Sequence, residues 1–266
     1  ECKMPKKYNG PDSSEMRLNR RSMLNDKFPQ RVIEESIKLA FENLEDLKKL
    51  LIWNEERGIR FFRISSDILP HISNWRLFSE ILNFRSLAYD IEMFTEKIRE
   101  IGDYANKKGH RLTFHPGFFT ILNTPKHFVL ISVMRELWWH TRFLDIANLP
   151  RSSSLTIHFG GVYNSREIAI ESFIKNFNGL PPEMRYRIII ENDENNFCTE
   201  DLLKISSAIK PYEWAGQKIN RIPICFDYFH YCCWNVFHQK DKKKYQKQRP
   251  SKELLHLINE NREGGR

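Results

Sequence analysis

No stretch of this sequence approaches 18 consecutive apolar residues, so no segment reads as a membrane-spanning helix. The opening ECKMPKKYNGPDSSE is polar and lacks the apolar run of a secretory signal. That points to a protein of the cell interior, in the nucleus of a eukaryote or the cytoplasm of a bacterium. Cysteine is sparse and unpatterned. Cys2, Cys198, Cys225, Cys232 and Cys233 make an odd number with no CxxC pair, which argues for reduced thiols and against a disulfide framework or a zinc knuckle. No Gly-rich turn follows the first predicted strand, as a dinucleotide-binding open sheet would need. Position 1 is Glu rather than Met, which suggests a fragment or a processed chain.

What is present fits one large domain or two small ones: 266 residues, 41% of them hydrophobic. The net charge of +8 and the sequence pI near 9.2 favour a polyanionic partner. The excess is uneven. Between Lys240 and Lys252 lie Lys242, Lys243, Lys244, Lys247 and Arg249 against one acid, Asp241. This run is either a solvated basic tail or a phosphate-contacting segment.

Hydrophobic spacing predicts helices and strands in alternation. Ile33, Ile37, Ala40, Leu44, Leu47 and Leu51 recur at helical steps, and Gly58 is a stop. RFFRISSD (60–67) reads as a strand, 89–108 as a helix closed by Gly109, and LTFH (112–115) as the next strand. Residues 125–148 read as a long aromatic helix whose stripe Phe128, Met134, Leu137, Trp138 and Phe143 packs on a core. SLTIHFGG (154–161), RIIIEND (187–193) and IPICFDYFH (222–230) are further strands, separated by helices over 165–178 and 199–210. After Phe237 the chain is polar, apart from the amphipathic SKELLHLINENR.

The strands are nearly continuous apolar runs, as in a parallel sheet covered on both faces. Each ends in or just before a ligand-type residue: His71, His115, His158, Glu191 and Asp227 follow one another at 44, 43, 33 and 36 residues, the length of a βα unit. The predicted fold class is α/β, a TIM (β/α) barrel, whose site gathers residues from the carboxyl ends of successive strands. Five recognisable units are too few to close eight strands. One strand at the N-terminal side and two at the C-terminal side are unmatched, so the barrel reads as incomplete.

Four imidazoles and two carboxylates at equivalent strand ends (His71, His115, His158, Glu191, Asp227, His230) are costly to bury unless something pairs them. Mixed His, Asp and Glu ligation suits Zn, Mn or Fe, and a hydrogen-bonded polar core is the alternative. His110, His127, His140, His238 and His256 fall in helices or loops and read as surface or packing residues.

RFFRISSDILPHISN, RLTFHPGFFTILNTP, LTIHFGGVY, RIIIENDE and ICFDYFH resemble, in order and spacing, the signature blocks of the ultraviolet-damage endonuclease family, relatives of the endonuclease IV-type repair enzymes. The resemblance runs from about Met16 to His230. It implies a TIM barrel holding a cluster of divalent metals, most often manganese with zinc or iron as alternatives. It implies nicking of double-stranded damaged DNA 5′ to ultraviolet photoproducts and at some abasic sites, by a monomer with no membrane partner. Carried over residue by residue, the metal positions fall on His71, His115, His158, Glu191, Asp227 and His230, with Glu191, His158 and Asp227 in the catalytic roles. The N-terminal block MRLNRRS places Arg17 and Arg20 against phosphates, and the loop after His115 places Phe118, Phe119 and Asn123 against DNA. The family usually has a Gln-Tyr-like pair where this chain has two phenylalanines, so stacking is kept and a polar contact is lost. Phe118 and Phe119 would wedge into the gap left by unstacked nucleotides, or else simply cap the barrel.

The resemblance divides the chain into a polar basic segment (1–28), a barrel endonuclease domain (29–238) and a basic divergent tail (239–266). The family's further ligands on its last strands have no counterpart after Phe237, so the nicking expected of residues 1–266 alone is weak or absent. Two other readings stay open: a non-catalytic or truncated remnant of that family, and a metal-dependent sugar isomerase of the same superfamily. The basic charge and the aromatic loop disfavour the isomerase.

Overall fold

The computed structural model describes residues 29–74, 89–163, 165–238 and 250–263. In chain order its elements are α1 (Pro29–Glu55), β1 (Phe61–Ile64), a 3-10 turn (Ile91–Phe94) leading into α2 (Thr95–Lys108), β2 (Arg111–Phe114), α3 (His127–Ile146) and β3 (Leu155–His158). There follow α4 (Arg166–Asn178), α5 (Pro182–Arg187), β4 (Ile188–Glu191), α6 (Thr199–Ser207), a hairpin of β5 (Tyr212–Trp214) and β6 (Gln217–Ile219), β7 (Ile224–Cys225), α7 (Tyr228–His238) and α8 (Lys252–Glu263). One sheet has the order β1-β2-β3-β4-β7, and the register is parallel for β1–β2, β3–β4 and β4–β7. The expected α/β fold with a parallel sheet is present. Among the described residues that sheet has five strands and does not close on itself. No described helix is long and apolar enough to cross a membrane.

The chain divides into two compact units. The first comprises residues up to His115 together with Trp138–Ser153. Its core is the predicted stripe of α1, with Ile33, Ala40, Leu44, Leu47 and Leu51 all buried, and Phe114 set edge-on to Trp139 and Phe143 at 5.6 and 5.2 Å. Each fully buried aliphatic or aromatic side chain contributes about 1.5–3 kcal/mol. Gly109 ends α2 in the left-handed region (φ 69°), where a side chain would be strained. β1 has Phe61 and Arg63 exposed, an edge-strand pattern rather than the doubly covered strand its sequence suggests.

The second unit comprises Pro116–Leu137 and the chain from Ser154 onward. Its core is aromatic. Phe159, at the end of β3, lies 4.4 Å from Phe173 on α4 and 4.2 Å from Phe197 in the loop after β4. Ser165 caps α4 by accepting from the Ile168 N–H at 3.1 Å. Helix α8 packs against α6 and β7 and buries Leu254.

Three expectations change. The strand predicted over 222–230 shrinks to Ile224–Cys225, because Tyr228–His238 is helical. A largely apolar run such as YFHYCCWNVFH fits either period. Of the stripe predicted for α3, Leu137 and Phe143 are buried as expected, while Phe128 and Trp138 are solvent-facing, at 65% and 45% exposure. The buried face also takes in Val133, His140 and Leu144, at helical steps of three and four residues around Leu137. His140 is therefore a core histidine, stacked on Trp139 at 3.6 Å with its Nε2 2.9 Å from the Ser66 hydroxyl. His110 is likewise buried, against the Glu55 carboxylate at 3.1 Å. Helix α5 and the β5–β6 hairpin have no counterpart in the predicted elements.

Candidate metal centre

Four of the predicted site residues lie in the second unit. β3 and β4 pair in parallel with His158 opposite Glu191, so their last residues stand side by side. Glu191 is buried and His158 half-buried. The chain then turns at Asp193, whose Oδ1 accepts from the N–H groups of Asn195 and Asn196 at 2.7 and 2.5 Å, which fixes where β4 stops.

Asn192 joins this end to the end of β7. Its Oδ1 accepts from the Asp227 N–H at 2.8 Å, and its Nδ2 donates to the Asp227 carbonyl at 3.0 Å. Its own carbonyl lies 2.8 Å from Nδ1 of His230. Asp227 caps the first turn of α7, its Oδ1 accepting from the His230 N–H at 2.8 Å. His230 is thus held from two sides, with its ring 6.2 Å from that of His158 and nearly parallel to it. Burial pulls the His230 imidazole down. The Asn192 carbonyl and the carboxylates of Asp227, Glu194 and Glu191 outweigh that and hold its pKa above the ordinary value. Glu194, 3.4 Å from His230, is a partner that sequence spacing does not reveal.

His115 is the residue that follows β2. One ligand atom from each of His115, His158 and Glu191 lies within 4.8 Å of the other two, with Glu191 buried and both histidines half-buried. Two imidazoles and a carboxylate at that separation suit a divalent cation such as Zn, Mn or Fe. His71, Asp227 and His230 are not part of this three-donor group. His71 is fully buried in the first unit at φ 60°, with Nδ1 3.4 Å from the Asn74 amide.

Of the residues expected to meet DNA, Arg17 and Arg20 lie outside the described residues, as does most of the basic run, 239–249. Phe118 and Phe119 are exposed at 67% and 74%, with ring centroids 3.9 Å apart. Two exposed phenyl rings in contact, their planes tilted by 37°, are an apolar tip that water does not favour. Asn123 departs from expectation. It is fully buried and its Nδ2 donates to the Gly161 carbonyl at 2.7 Å, which leaves it no surface to offer a nucleic acid.

Parallel βα units that bring imidazoles and a carboxylate together at carboxyl strand ends define a TIM-barrel-type fold with a candidate metal centre. Residues 11–256 match the UV-endonuclease UvdE family, and the chain belongs to it. It is 36% identical over 224 residues to the UV DNA damage endonuclease of Clostridium perfringens, covering 84% of this chain and 48% of that protein. Over 202 residues it is 32% identical to the UV-damage endonuclease of Schizosaccharomyces pombe, covering 74% of this chain and 30% of the relative. The crystal structure of SacUVDE superposes with a TM-score of 0.68 at 27% identity, covering 86% of this chain and 68% of that one. The chain thus spans about half, or less, of the length of these curated relatives.

Proposed function

We propose that this chain carries the metal-binding half of an endonuclease that cuts the backbone of ultraviolet-damaged duplex DNA on the 5′ side of the lesion, with manganese as the working cation and abasic sites as secondary substrates. The observation that carries this is the His115, His158 and Glu191 group at the strand ends of a chain whose relatives are named UV-damage endonucleases.

His115, His158 and Glu191 would hold the cation, with Asp227 and His230 adjoining. A cation held there would lower the pKa of a coordinated water and offset negative charge gathering on the phosphate. Asn192 keeps Asp227 and His230 in register with Glu191 through its paired hydrogen bonds. Phe118 and Phe119 fill the gap left when damaged bases leave the stack, a step that costs least for a lesion that already stacks poorly. The positive charge of the chain draws the duplex in. The protein works inside the cell as a monomer, in the nucleus of a eukaryote or the cytoplasm of a bacterium.

The test is a plasmid nicking assay with Mn²⁺, on irradiated and unirradiated DNA, beside elemental analysis of the purified protein. Nicking, though weak for residues 1–266 alone, should be confined to irradiated DNA, be abolished by chelator and disappear in Glu191→Gln. Folded protein without metal would overturn the centre. Metal-loaded protein that never nicks would leave the chain a non-catalytic member of its family.

A further inference from the structure

The exposed ring pair sits on a loop whose base is buried. Leu122, Asn123, Thr124 and Thr120 are all at 7% exposure or less, while the rings at the tip stand in solvent. The Thr120 N–H donates to the Gly117 carbonyl at 2.7 Å and closes the tip into a turn. Two side-chain amides then fasten the base. Asn176, on α4, donates to the Leu122 carbonyl at 2.7 Å and to that of Thr124 at 3.4 Å. Asn123 donates to Gly161 at 2.7 Å, three residues beyond His158.

The Asn123 contact is also an interlock of shape. Gly160 has φ +107°, and a Cβ there would stand 2.6 Å from Asn123 Oδ1 and 3.0 Å from Ile121. The carboxamide therefore lies where any side chain at 160 would have to go. The loop can shift relative to the turn after β3 only by breaking the 2.7 Å bond and leaving buried polar groups bare.

We propose that Asn123 is a positioning residue that locks the aromatic loop to the turn after His158, so that Phe118 and Phe119 are held at a fixed place relative to that strand end before DNA arrives. This rests on the reading of the ring pair as a damage wedge. A tip already ordered loses less conformational freedom on binding, and the gain falls on complexes that use the wedge.

The experiment measures binding of the chain to duplexes with and without a single photoproduct, by fluorescence anisotropy, for the wild type, Asn123→Ala, the Phe118→Ala/Phe119→Ala pair and the triple variant. Metal content is read in parallel. Asn123→Ala should keep wild-type metal content and lose several-fold of the preference for the damaged duplex. It should lose little more once the rings are gone, because both changes act through one element. The inference fails if Asn123→Ala leaves the preference within about two-fold of wild type while the ring pair matters, or if the effects multiply independently to within that margin. If removing the rings changes nothing, the wedge reading itself falls, a distinguishable outcome. Should Asn123→Ala not fold, Asn176→Ala releases the other leg of the same loop and is expected to lose preference in the same non-independent way. If Asn176→Ala keeps full preference, the inference is overturned.

Discussion

Replacing Gly160 by alanine tests the interlock through stability alone. Three effects compete. Holding a non-glycine residue in this part of conformational space costs about 1–3 kcal/mol. The new methyl would meet Asn123 Oδ1 at 2.6 Å and Ile121 at 3.0–3.1 Å. Asn123 cannot yield freely, since it is fully buried and tied to Gly161. Overpacking of that kind adds about 1–3 kcal/mol. Against both, alanine restricts the unfolded chain and returns about 0.4–1 kcal/mol. The steric terms win, with a net loss of about 1–6 kcal/mol, which at about 2–4 °C per kcal/mol lowers the melting temperature by roughly 2–24 °C. Two controls separate the causes. Gly109→Ala shares the positive φ (+69°) but has nothing within 4 Å, so it should show the strain cost alone. Gly161→Ala, with no positive φ and no close neighbour, should be close to neutral. Melts followed by circular dichroism decide. If Gly160→Ala unfolds at the temperature of Gly161→Ala, the close approach of Asn123 is wrong.

Burial and the Asp201 carboxylate, which lies 2.9 Å from Sγ, push the Cys198 thiol up to about 12, so mass spectrometry should find it unalkylated by iodoacetamide at pH 8. Arg142 donates to Glu92 at 2.6 Å and, against the opposing effect of burial, holds that carboxyl below its ordinary value. The stabilisation is therefore present above the unfolded carboxyl pKa and lost as pH falls through the folded one. Wild type should exceed Glu92→Gln in stability at neutral pH and converge with it in acid; a gap that persists in acid refutes the pairing. At about 100 times its dissociation constant, Mn²⁺ should stabilise wild type by about 2.7 kcal/mol, and Glu191→Gln should lose most of that. An equal thermal shift in both proteins would remove Glu191 from the centre. Ala215 occupies the left-handed region at φ 50° ahead of Gly216 at φ 72° in an exposed hairpin turn. Ala215→Asn should raise stability by up to about 1 kcal/mol, measured by denaturant unfolding.

The sequence made the periodic part of this protein legible. Apolar runs ending in His115, His158 and Glu191 gave three strands, their direction and the donors that meet at 4.8 Å. What escaped was chemistry carried by partners distant in sequence. Asn192 has no signature as a residue, and its role exists only because Asp227 arrives 35 positions later. The family resemblance set Asn123 against DNA, but Gly161 lies 38 positions away and claims it. Other misses had signals. Pro181-Pro182-Glu183 is a helix start, and Ala215-Gly216 between Tyr212 and Ile219 marks a hairpin. Asp227 ahead of the run Tyr228–His238 marks a cap, which argued for helix where strand was assigned.

The two-residue length of β7 has a further consequence. Two ladder residues cannot fix the start of the following helix, and Asn192 supplies the alignment by gripping Asp227 on both its N–H and its carbonyl. Placement of Asp227 and His230 is thereby decoupled from the chain that leads up to it. The hairpin in that approach is exposed from Glu213 to Lys218. Its tip is a permissive point for insertion, where an epitope or a reporter domain can be spliced at Ala215–Gly216 without disturbing the strand ends.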